Sequence, residues 1–320
     1  MTSQLNSDGT SRIAADLDRA IVFRNAQAGR AKADRLLPLL KQAFLDHGMS
    51  PEMRTTSTAN EMEAQAKEAI EAGARSLFAF GGDGTLQGLV NAAFGHDVVL
   101  GVIPGGGGND FARALGLPRE PLAALGAQLR GEARSVDLAS ARTGDGRTRL
   151  YLGGGGVGLD ADAARFAGGR YRNWPGRWRY VAAAIHAFAL HQPRRVRIAL
   201  ESSQGRAEWQ DSVLACVLNT PTFGAGIRLA PDAQISDGLL DCVLLEELGF
   251  GRLLRILPRL ALEGSLHIPQ LRRVQFRKLR LETERPAYFH GDGELLGPTP
   301  VEIEVVPAGA RFLAPKVAGA

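Results

Sequence analysis

The sequence predicts an α/β domain with a parallel sheet, followed by an antiparallel β-sandwich domain. Two observations predict the first domain: from residue 20 to about 129 short apolar strands alternate with helical patterns, and two of those strands break into glycine-rich loops. This alternation leaves no room for antiparallel pairing, so helices should cover both faces of a mainly parallel sheet. A third observation predicts the second domain, because helical periodicity fades from residue 135 and short alternating or wholly apolar segments replace it.

Length and composition are those of an ordinary soluble protein with room for two cores. The chain has 320 residues, 45% of them hydrophobic and 22% charged, and a net charge of only +4. We expect a flexible tail at 1–16, a first domain at 17–134 to which 308–320 returns, and a second domain at 135–307. The tail lacks the apolar core of a signal peptide and no window reaches membrane-spanning length, so we expect a cytoplasmic protein. Cys216 and Cys242 lie in apolar strand-like runs, which favours two buried thiols over a disulfide or a metal pair.

The first strand and helix follow the tail. Residues 20–23 form a short apolar strand that leads into a loop containing Asn25 and Gly29. The next apolar residues recur at helical spacing, and Gly48 is expected to end that helix. These residues are Leu36, Leu37, Leu40 and Phe44.

A second strand around Met53 leads into a threonine-rich turn and a second helix. Asn60, with Glu63 three residues later, is the expected N-cap, and Gly73 closes the helix. Thr56 is the candidate functional threonine of this turn and Thr58 is an alternative, although a threonine here can equally be a turn or cap residue.

Around the third strand the pattern is apolar run, glycine loop and helix. Glycines 81, 82 and 84 let the backbone take positive φ and let an anion approach the amides closely. Asp83 lies among them, and a helix is expected to open near Thr85, where free N–H groups and the helix dipole favour a phosphate. A single loop of this kind also occurs in α/β proteins that bind no ligand.

A second glycine loop repeats this arrangement on the next strand. A β-branched strand through Ile103 is followed by glycines at 105–108, and Asn109 and Asp110 then start a helix. Loops on successive strands of one sheet face each other across a crevice, which is where open α/β sheets bind ligands.

These two loops carry a family resemblance. Gly-Gly-Asp-Gly-Thr at 81–85, with Pro-x-Gly-x-x-Asn-Asp-Phe-Ala-Arg at 104–113, resembles the diacylglycerol kinase catalytic-domain family, in particular its soluble bacterial lipid kinases. That family is related to sphingosine kinases and, more distantly, to NAD kinases. The resemblance implies nucleotide contacts from Asn25, Gly29, Thr56, Gly81, Gly82, Asp83, Gly84, Thr85, Gly106, Gly107, Asn109 and Asp110.

Two positions depart from the family pattern. Ala26 replaces the usual proline of the first loop, and Gly107 stands where relatives usually have threonine. The hydroxyl that would contact the nucleotide is therefore missing, which leaves CTP or GTP open as alternatives to ATP.

Two motifs of the second domain extend the resemblance. The segment 219–241 matches a family turn that holds a structural Mg²⁺, and this implies Asp237 with the backbone carbonyls of Gln234 and Leu239 as ligands. Taken alone, Asp237 and the following glycine would read as a hairpin turn. The glycine-rich segment 153–158 also resembles one that lies near the family's cleft, although it could serve packing instead.

Near the end of the chain, the segment Asp-Gly-Glu at 292–294 corresponds to the family's catalytic carboxylates. The resemblance implies that Glu294 is the general base for the lipid hydroxyl and that Asp292 supports it. Asp83 and Asp110 are the candidates for the catalytic Mg²⁺. We expect Glu294 and the glycine loops to serve one reaction.

Arginines alternate with aromatic residues at 165–180, a composition typical of a lipid headgroup interface. The same mixture could stack on nucleic-acid bases, with steeply salt-sensitive binding, or could be aromatics packed inward under solvated arginines. A second basic amphipathic segment occupies 251–262. The resemblance favours peripheral contact with a membrane and no nucleic acid.

The combined expectation is an ATP-dependent, Mg²⁺-requiring kinase of diacylglycerol or a related lipid. Two alternatives remain: a soluble-substrate kinase of the NAD kinase type, and a nucleotide- or lipid-binding module without turnover. The sequence leaves the lipid, and the choice between monomer and homodimer, undetermined.

Overall fold

A computed structural model describes residues 19–26, 30–158, 194–200, 209–224, 226–246 and 268–316, together with positions 166, 169–171, 174, 182–183, 185–187 and 251. The chain forms two compact units. Unit 1 holds the described residues up to Gly106, then Gly116–Ser135 and the residues from Ala310 onward. Unit 2 holds Gly107–Leu115 and the described residues of Val136–Gly309.

Strands and helices alternate in the first part of the chain. In order they are β1 (Arg19–Asn25), α1 (Arg30–Leu45), β2 (Ser50–Thr56), α2 (Ala59–Glu71), β3 (Ser76–Gly81), α3 (Asp83–Ala93), β4 (Val99–Pro104), α4 (Asp110–Ala114) and α5 (Pro121–Leu129). Strands follow: β5 (Glu132–Arg142), β6 (Thr148–Tyr151), β7 (Gly154–Gly158), β8 (Arg194–Leu200), β9 (Trp209–Leu218), β10 (Thr222–Phe223), β11 (Ile227–Arg228), β12 (Leu240–Glu246), β13 (Leu271–Phe276), β14 (Lys278–Thr283), β15 (Tyr288–Gly291), β16 (Glu294–Pro298) and β17 (Val301–Ala314).

Unit 1 is built on a parallel sheet in the order β2-β1-β3-β4. The end of β17 adds a further parallel strand, with Arg311 opposite Val99. Every residue of β3 and β4 is buried, which explains why these strands read as continuous apolar runs rather than alternating ones. The helices form two pairs, α1 with α5 and α2 with α3. The predicted parallel α/β domain is confirmed.

The predicted helical pattern of α1 is also confirmed. Leu40 and Phe44 are fully buried, and the Phe44 ring meets Phe78 of β3 edge-on at 4.9 Å between centroids. Gly48 follows the helix in the left-handed region, at φ +76°.

The predicted cap of α2 is wrong. Thr58, not Asn60, is the N-cap: its hydroxyl accepts the N–H of Glu61 at 3.1 Å, and the Glu61 carboxylate accepts the N–H of Ser57 at 2.8 Å. The Thr58 hydroxyl satisfies one N–H group that the first turn leaves open, and the glutamate three residues later reaches back to the N–H just before the cap. Asn60 and Glu63 have the same spacing but lie inside the helix.

The strands of unit 2 pair antiparallel, as predicted. Its strands follow the order β16-β15-β7-β9-β8-β14-β17, β12 and β13 extend from β9, and β5 pairs with β6 as a hairpin. Along β9 the buried side chains alternate between two apolar clusters, so Cys216 lies in one cluster and Cys242 of the neighbouring strand lies in the other. Both thiols are buried and neither forms a disulfide, which confirms the prediction from the sequence.

Candidate functional site

The first glycine loop connects β3 directly to α3. Gly82 is the N-cap, and its carbonyl accepts the N–H of Thr85 at 3.0 Å, so the helix begins at Asp83 rather than near Thr85. A β-carbon on Gly81 would lie 2.4 Å from the Thr85 hydroxyl oxygen. Gly81 is therefore required for the close turn, and the Asp83 carboxylate lies in the first turn of the helix, where the helix dipole stabilises negative charge.

The second glycine loop begins beside the first, at Gly105 and Gly106 of unit 1. Gly81 is the register partner of Pro104, and the N–H of Gly105 donates to the Gly81 carbonyl at 2.8 Å. A β-carbon on Gly82 would meet the Cα of Gly106 at 3.5 Å. The carboxyl ends of β3 and β4 thus present two adjacent backbone loops with little side-chain cover, the arrangement predicted for phosphate binding.

Asn25 and Thr56 also come together in unit 1. They are register partners at the carboxyl ends of β1 and β2, and the N–H of Ala26 donates to the Thr56 carbonyl at 2.8 Å. Thr56 is buried, whereas the alternative, Thr58, is committed to capping α2. Gly29 lies outside the described residues.

Asp110 opens α4 in unit 2 and is held by two donors. Its Oδ1 accepts the Thr222 hydroxyl at 2.6 Å and Nη1 of Arg113 at 2.9 Å. Asn109, the N-cap, is in the left-handed region at φ +56°. Gly107 precedes these residues in the same unit. Sequence reasoning assigned no role to Arg113 or Thr222.

Asp292 and Gly293 form the turn between β15 and β16. Their φ values of +49° and +89° are those of a type I′ turn, for which Asp-Gly is a favoured pair. The Asp292 carboxylate accepts three backbone N–H groups: Leu152 at 2.7 Å, Gly153 at 2.9 Å and Gly154 at 3.2 Å. The Asp292 carboxylate therefore fixes the turn against residues 152–154, where the chain passes from β6 into β7. The sequence did not reveal this contact.

Glu294 follows this turn as the first residue of β16. Its side chain is exposed, and no hydrogen bond to the part of the chain that the structure describes holds its carboxylate. Partial removal from water raises the pKa of Glu294, and the positive charge of Arg149 opposes that rise. A carboxylate that is open on a rigid turn and has a raised pKa can accept a proton from a bound hydroxyl.

The turn predicted to hold Mg²⁺ lies just before β12. Asp237 is exposed, its Oδ1 accepts the N–H of Leu239 at 3.0 Å, and Gly238 has φ +73°. Gln234 lies on the same exposed turn. No cluster of three or more His, Cys, Asp or Glu side chains occurs among the described residues. The predicted ligand set contains one carboxylate and two carbonyls, all oxygen donors, which suits a hard cation that keeps several waters.

The side chain of Asp137 holds the turn at 237–238 by a hydrogen bond, and this residue was not identified from the sequence. Its buried carboxylate accepts the N–H of Gly238 at 2.7 Å and the N–H of Ala308 at 2.8 Å. Its own N–H donates to the Ile235 carbonyl at 2.7 Å. An aspartate in the middle of a buried strand is the signal that could have revealed it, because a buried charge needs partners.

Only a few residues of the arginine and aromatic segment 165–180 are described. Phe166 stacks on His186 at 4.3 Å, and Tyr171 Oη lies 3.1 Å from His186 Nδ1. Trp174 is 52% exposed, whereas Phe166 and Tyr171 are partly buried. Arg170 is exposed. The remaining arginines and aromatic residues of this segment, and residues 252–262 of the second basic segment, lie outside the described residues. No helix in the described ranges combines the length and the apolar character needed to cross a bilayer.

Family models match both parts of the chain. Residues 19–141 match the diacylglycerol kinase catalytic domain. Residues 155–314 match the YegS C-terminal NAD kinase beta sandwich-like domain.

Full-length relatives and solved structures are similar over most of the chain. A Bacillus subtilis (strain 168) protein named diacylglycerol kinase is 28% identical over 292 residues, covering 89% of this chain and 93% of the relative. A Stenotrophomonas maltophilia (strain K279a) protein named "Probable lipid kinase YegS-like" is 30% identical over 280 residues, covering 84% and 88%. The crystal structure of a diacylglycerol kinase from Bacillus anthracis str. Sterne superposes with a TM-score of 0.70 at 19% identity, covering 93% of this chain and 97% of that one. The structural likeness establishes the fold.

Proposed function

Because the chain belongs to the diacylglycerol kinase catalytic-domain family, we propose that it transfers the γ-phosphoryl group of ATP to the hydroxyl of diacylglycerol or a related lipid. The observation that carries this proposal is the turn at 292–294. The Asp292 carboxylate accepts hydrogen bonds from three backbone N–H groups. Glu294, two residues later, is exposed and its carboxyl group has a raised pKa. That pairing provides a rigid support and an available base.

In this proposal the glycine loops hold the nucleotide phosphates. Gly81, Gly82, Gly84 and Gly106 have no side chain to keep an anion from the loop backbone, and the start of α3 adds the positive end of a helix dipole. Thr85, Asn25, Gly29 and Thr56 are further proposed nucleotide contacts of unit 1. The family resemblance adds Gly107, Asn109 and Asp110 of unit 2 as proposed contacts. Phosphoryl transfer depends mainly on positioning and charge neutralisation, so backbone amides are suitable groups for this task.

Glu294 takes the proton from the lipid hydroxyl as the phosphoryl group is transferred. Asp292 keeps the turn in place and does not itself need to touch the substrate, because its oxygens are occupied by backbone donors. A base of this kind contributes roughly 10²–10⁴ to the rate.

Mg²⁺ is the cation that this chemistry calls for, and it would neutralise charge on the phosphates. Asp83 and Asp110 are the proposed groups for the catalytic ion. Asp110 Oδ1 already accepts hydrogen bonds from Arg113 and Thr222. Asp237 and the carbonyls of Gln234 and Leu239 would hold the structural ion.

The proposed enzyme is cytoplasmic and meets its lipid at a membrane surface through 165–180. The exposed indole of Trp174 is the described feature that supports such contact, since tryptophan favours the bilayer interface. A homodimer is compatible with this proposal.

The decisive experiment supplies radiolabelled ATP with lipids in mixed micelles, comparing the native chain with Glu294→Gln. We expect labelled lipid from the native chain and a loss of roughly 10²–10⁴ in rate for the variant. Glu304→Gln, an exposed glutamate of β17, is the matched control and should retain full activity. Labelling of NAD instead of lipid would indicate the NAD kinase alternative. Binding without turnover, unchanged by Glu294→Gln, would indicate a non-catalytic module.

A further inference from the structure

Within unit 2 a continuous series of hydrogen bonds joins the start of α4 to the turn that carries Glu294. The series passes through the short segment 219–222, which leads into β10. This segment begins the 219–241 motif, but neither the sequence nor the proposed function gave any of its four residues a role. The two ends of the series are the nucleotide turn at 107–110 and the Asp292 turn, so this inference rests on the proposed function.

At the first end, Thr222 and Arg113 hold Asp110. The Thr222 hydroxyl donates to Asp110 Oδ1 at 2.6 Å, and Arg113 Nη1 lies 2.9 Å from the same oxygen and 3.3 Å from the Thr222 hydroxyl. Arg113 Nη2 also donates to the Gly108 carbonyl at 3.4 Å. The nucleotide turn is thereby bound through both its backbone and its aspartate.

Gly226 leaves the space that the Arg113 guanidinium occupies. Its φ is +100°, and a β-carbon there would lie 2.7 Å from Arg113 Nη1. Both Thr222 and Asp110 are buried, so these bonds are shielded from water.

At the other end of the series, the segment 219–222 is hydrogen-bonded to Gly153, whose N–H group is bound by the Asp292 carboxylate. The Thr220 hydroxyl lies 2.9 Å from the Thr222 carbonyl and 3.1 Å from the Gly153 carbonyl. The N–H of Asn219 donates to the Gly153 carbonyl at 2.9 Å. The N–H of Gly153 in turn donates to Asp292 Oδ1 at 2.9 Å.

We propose that Thr222 is a positioning residue that holds the nucleotide turn and the turn bearing Glu294 in one fixed arrangement. It acts on the first turn through Asp110 and on the second through Thr220, Gly153 and Asp292. Phosphoryl transfer requires the base and the phosphate to be aligned, and a misplacement of about 1 Å can cost roughly 10²-fold in rate. The segment 219–222 supplies this alignment without touching either substrate.

The experiment replaces Thr222 with valine, which keeps the shape and removes the hydroxyl, and with serine, which restores it. Thr143→Val is the matched control, because the buried Thr143 also donates to an aspartate at 2.6 Å but lies in the hairpin between β5 and β6. Three quantities are measured on the full chain: the melting temperature, its increase with MgATP, and KM and kcat for lipid phosphorylation.

For Thr222→Val we expect kcat/KM to fall about tenfold or more, the effect of losing one buried hydrogen bond to a charged group. The rise in the melting temperature of Thr222→Val on addition of MgATP should be smaller than that of the native chain. The kcat/KM of Thr222→Ser should stay within about threefold of the native value. Thr143→Val should lower the melting temperature and keep the native kcat/KM.

Arg113→Lys is the second variant, used if Thr222→Val does not fold. A lysine cannot bond both Asp110 and the Gly108 carbonyl as a guanidinium does, so it should reproduce the Thr222→Val result. The proposal is overturned if the folded variant keeps native kcat/KM and the native response to MgATP, or if Thr143→Val loses as much activity. If the native chain phosphorylates no lipid, the proposed function fails, and the MgATP response alone still decides the role of Thr222.

Discussion

Replacing Asp137 with asparagine should destabilise unit 2 by about 3 kcal/mol. The two carboxylate oxygens accept different N–H groups, from Gly238 at 2.7 Å and from Ala308 at 2.8 Å, and the residue is only 3% exposed. Asparagine has only one side-chain oxygen. Its NH₂ group, itself a hydrogen-bond donor, would therefore lie against the second backbone N–H group, which would lose its acceptor. Losing a charge-assisted bond costs about 1.5–3 kcal/mol, and a buried unsatisfied donor costs about 1–3 kcal/mol, two terms that partly overlap.

The assay is urea unfolding of the full chain, with amide hydrogen exchange at Gly238 and Ala308 as the local readout. Asp46→Asn is the control: Asp46 is exposed, and the oxygen of asparagine can still accept the side-chain N–H of Gln42, so a change within about 0.5 kcal/mol is expected. A loss below about 1 kcal/mol for Asp137→Asn, with exchange unchanged at both amides, would refute this reasoning.

Two further predictions concern strain and charge in unit 2. Ala308 has φ +50°, which costs an L-residue more than glycine, so Ala308→Gly should raise the free energy of unfolding in urea by about 0.5 kcal/mol; a decrease would contradict this. Arg149 opposes the raised pKa of Glu294, so Arg149→Gln should raise that pKa further. A base works deprotonated, and its rate climbs as pH rises through its pKa; the acidic limb of the kcat profile should therefore move to higher pH, and a limb that stays in place would count against this role for Arg149.

Much of the architecture could be predicted from local pattern. Fully apolar runs separated by helical spacing indicated the buried parallel strands of unit 1, and short alternating runs indicated the antiparallel strands of unit 2. The glycine loops at 81–84 and 105–108 were predicted for the same reason, since a strand, a glycine turn and a helix are neighbours along the chain. The structure confirms that these loops lie side by side, because β3 and β4 pair in register.

The cap of α2 marks the limit of such local reasoning. Thr58 with Glu61 and Asn60 with Glu63 both have the spacing of a capping pair. The extended backbone at Thr58 selects the first of them. Both candidates satisfy the sequence rule, so the local pattern could not choose the residue where the chain leaves the turn and enters the helix.

The sequence by itself determined the order of strands and helices, the two glycine loops and the family to which the chain belongs. Only the tertiary structure decided which distant partners hold parts of unit 2 in place. The Thr222 hydroxyl donates to Asp110, and the N–H of Ala308 donates to Asp137. The Asp292 carboxylate accepts the N–H groups of residues 152–154. The partners in each pair are more than a hundred residues apart in the chain. Strand pairing brings them together, whereas apolar periodicity reports only which face of an element is buried.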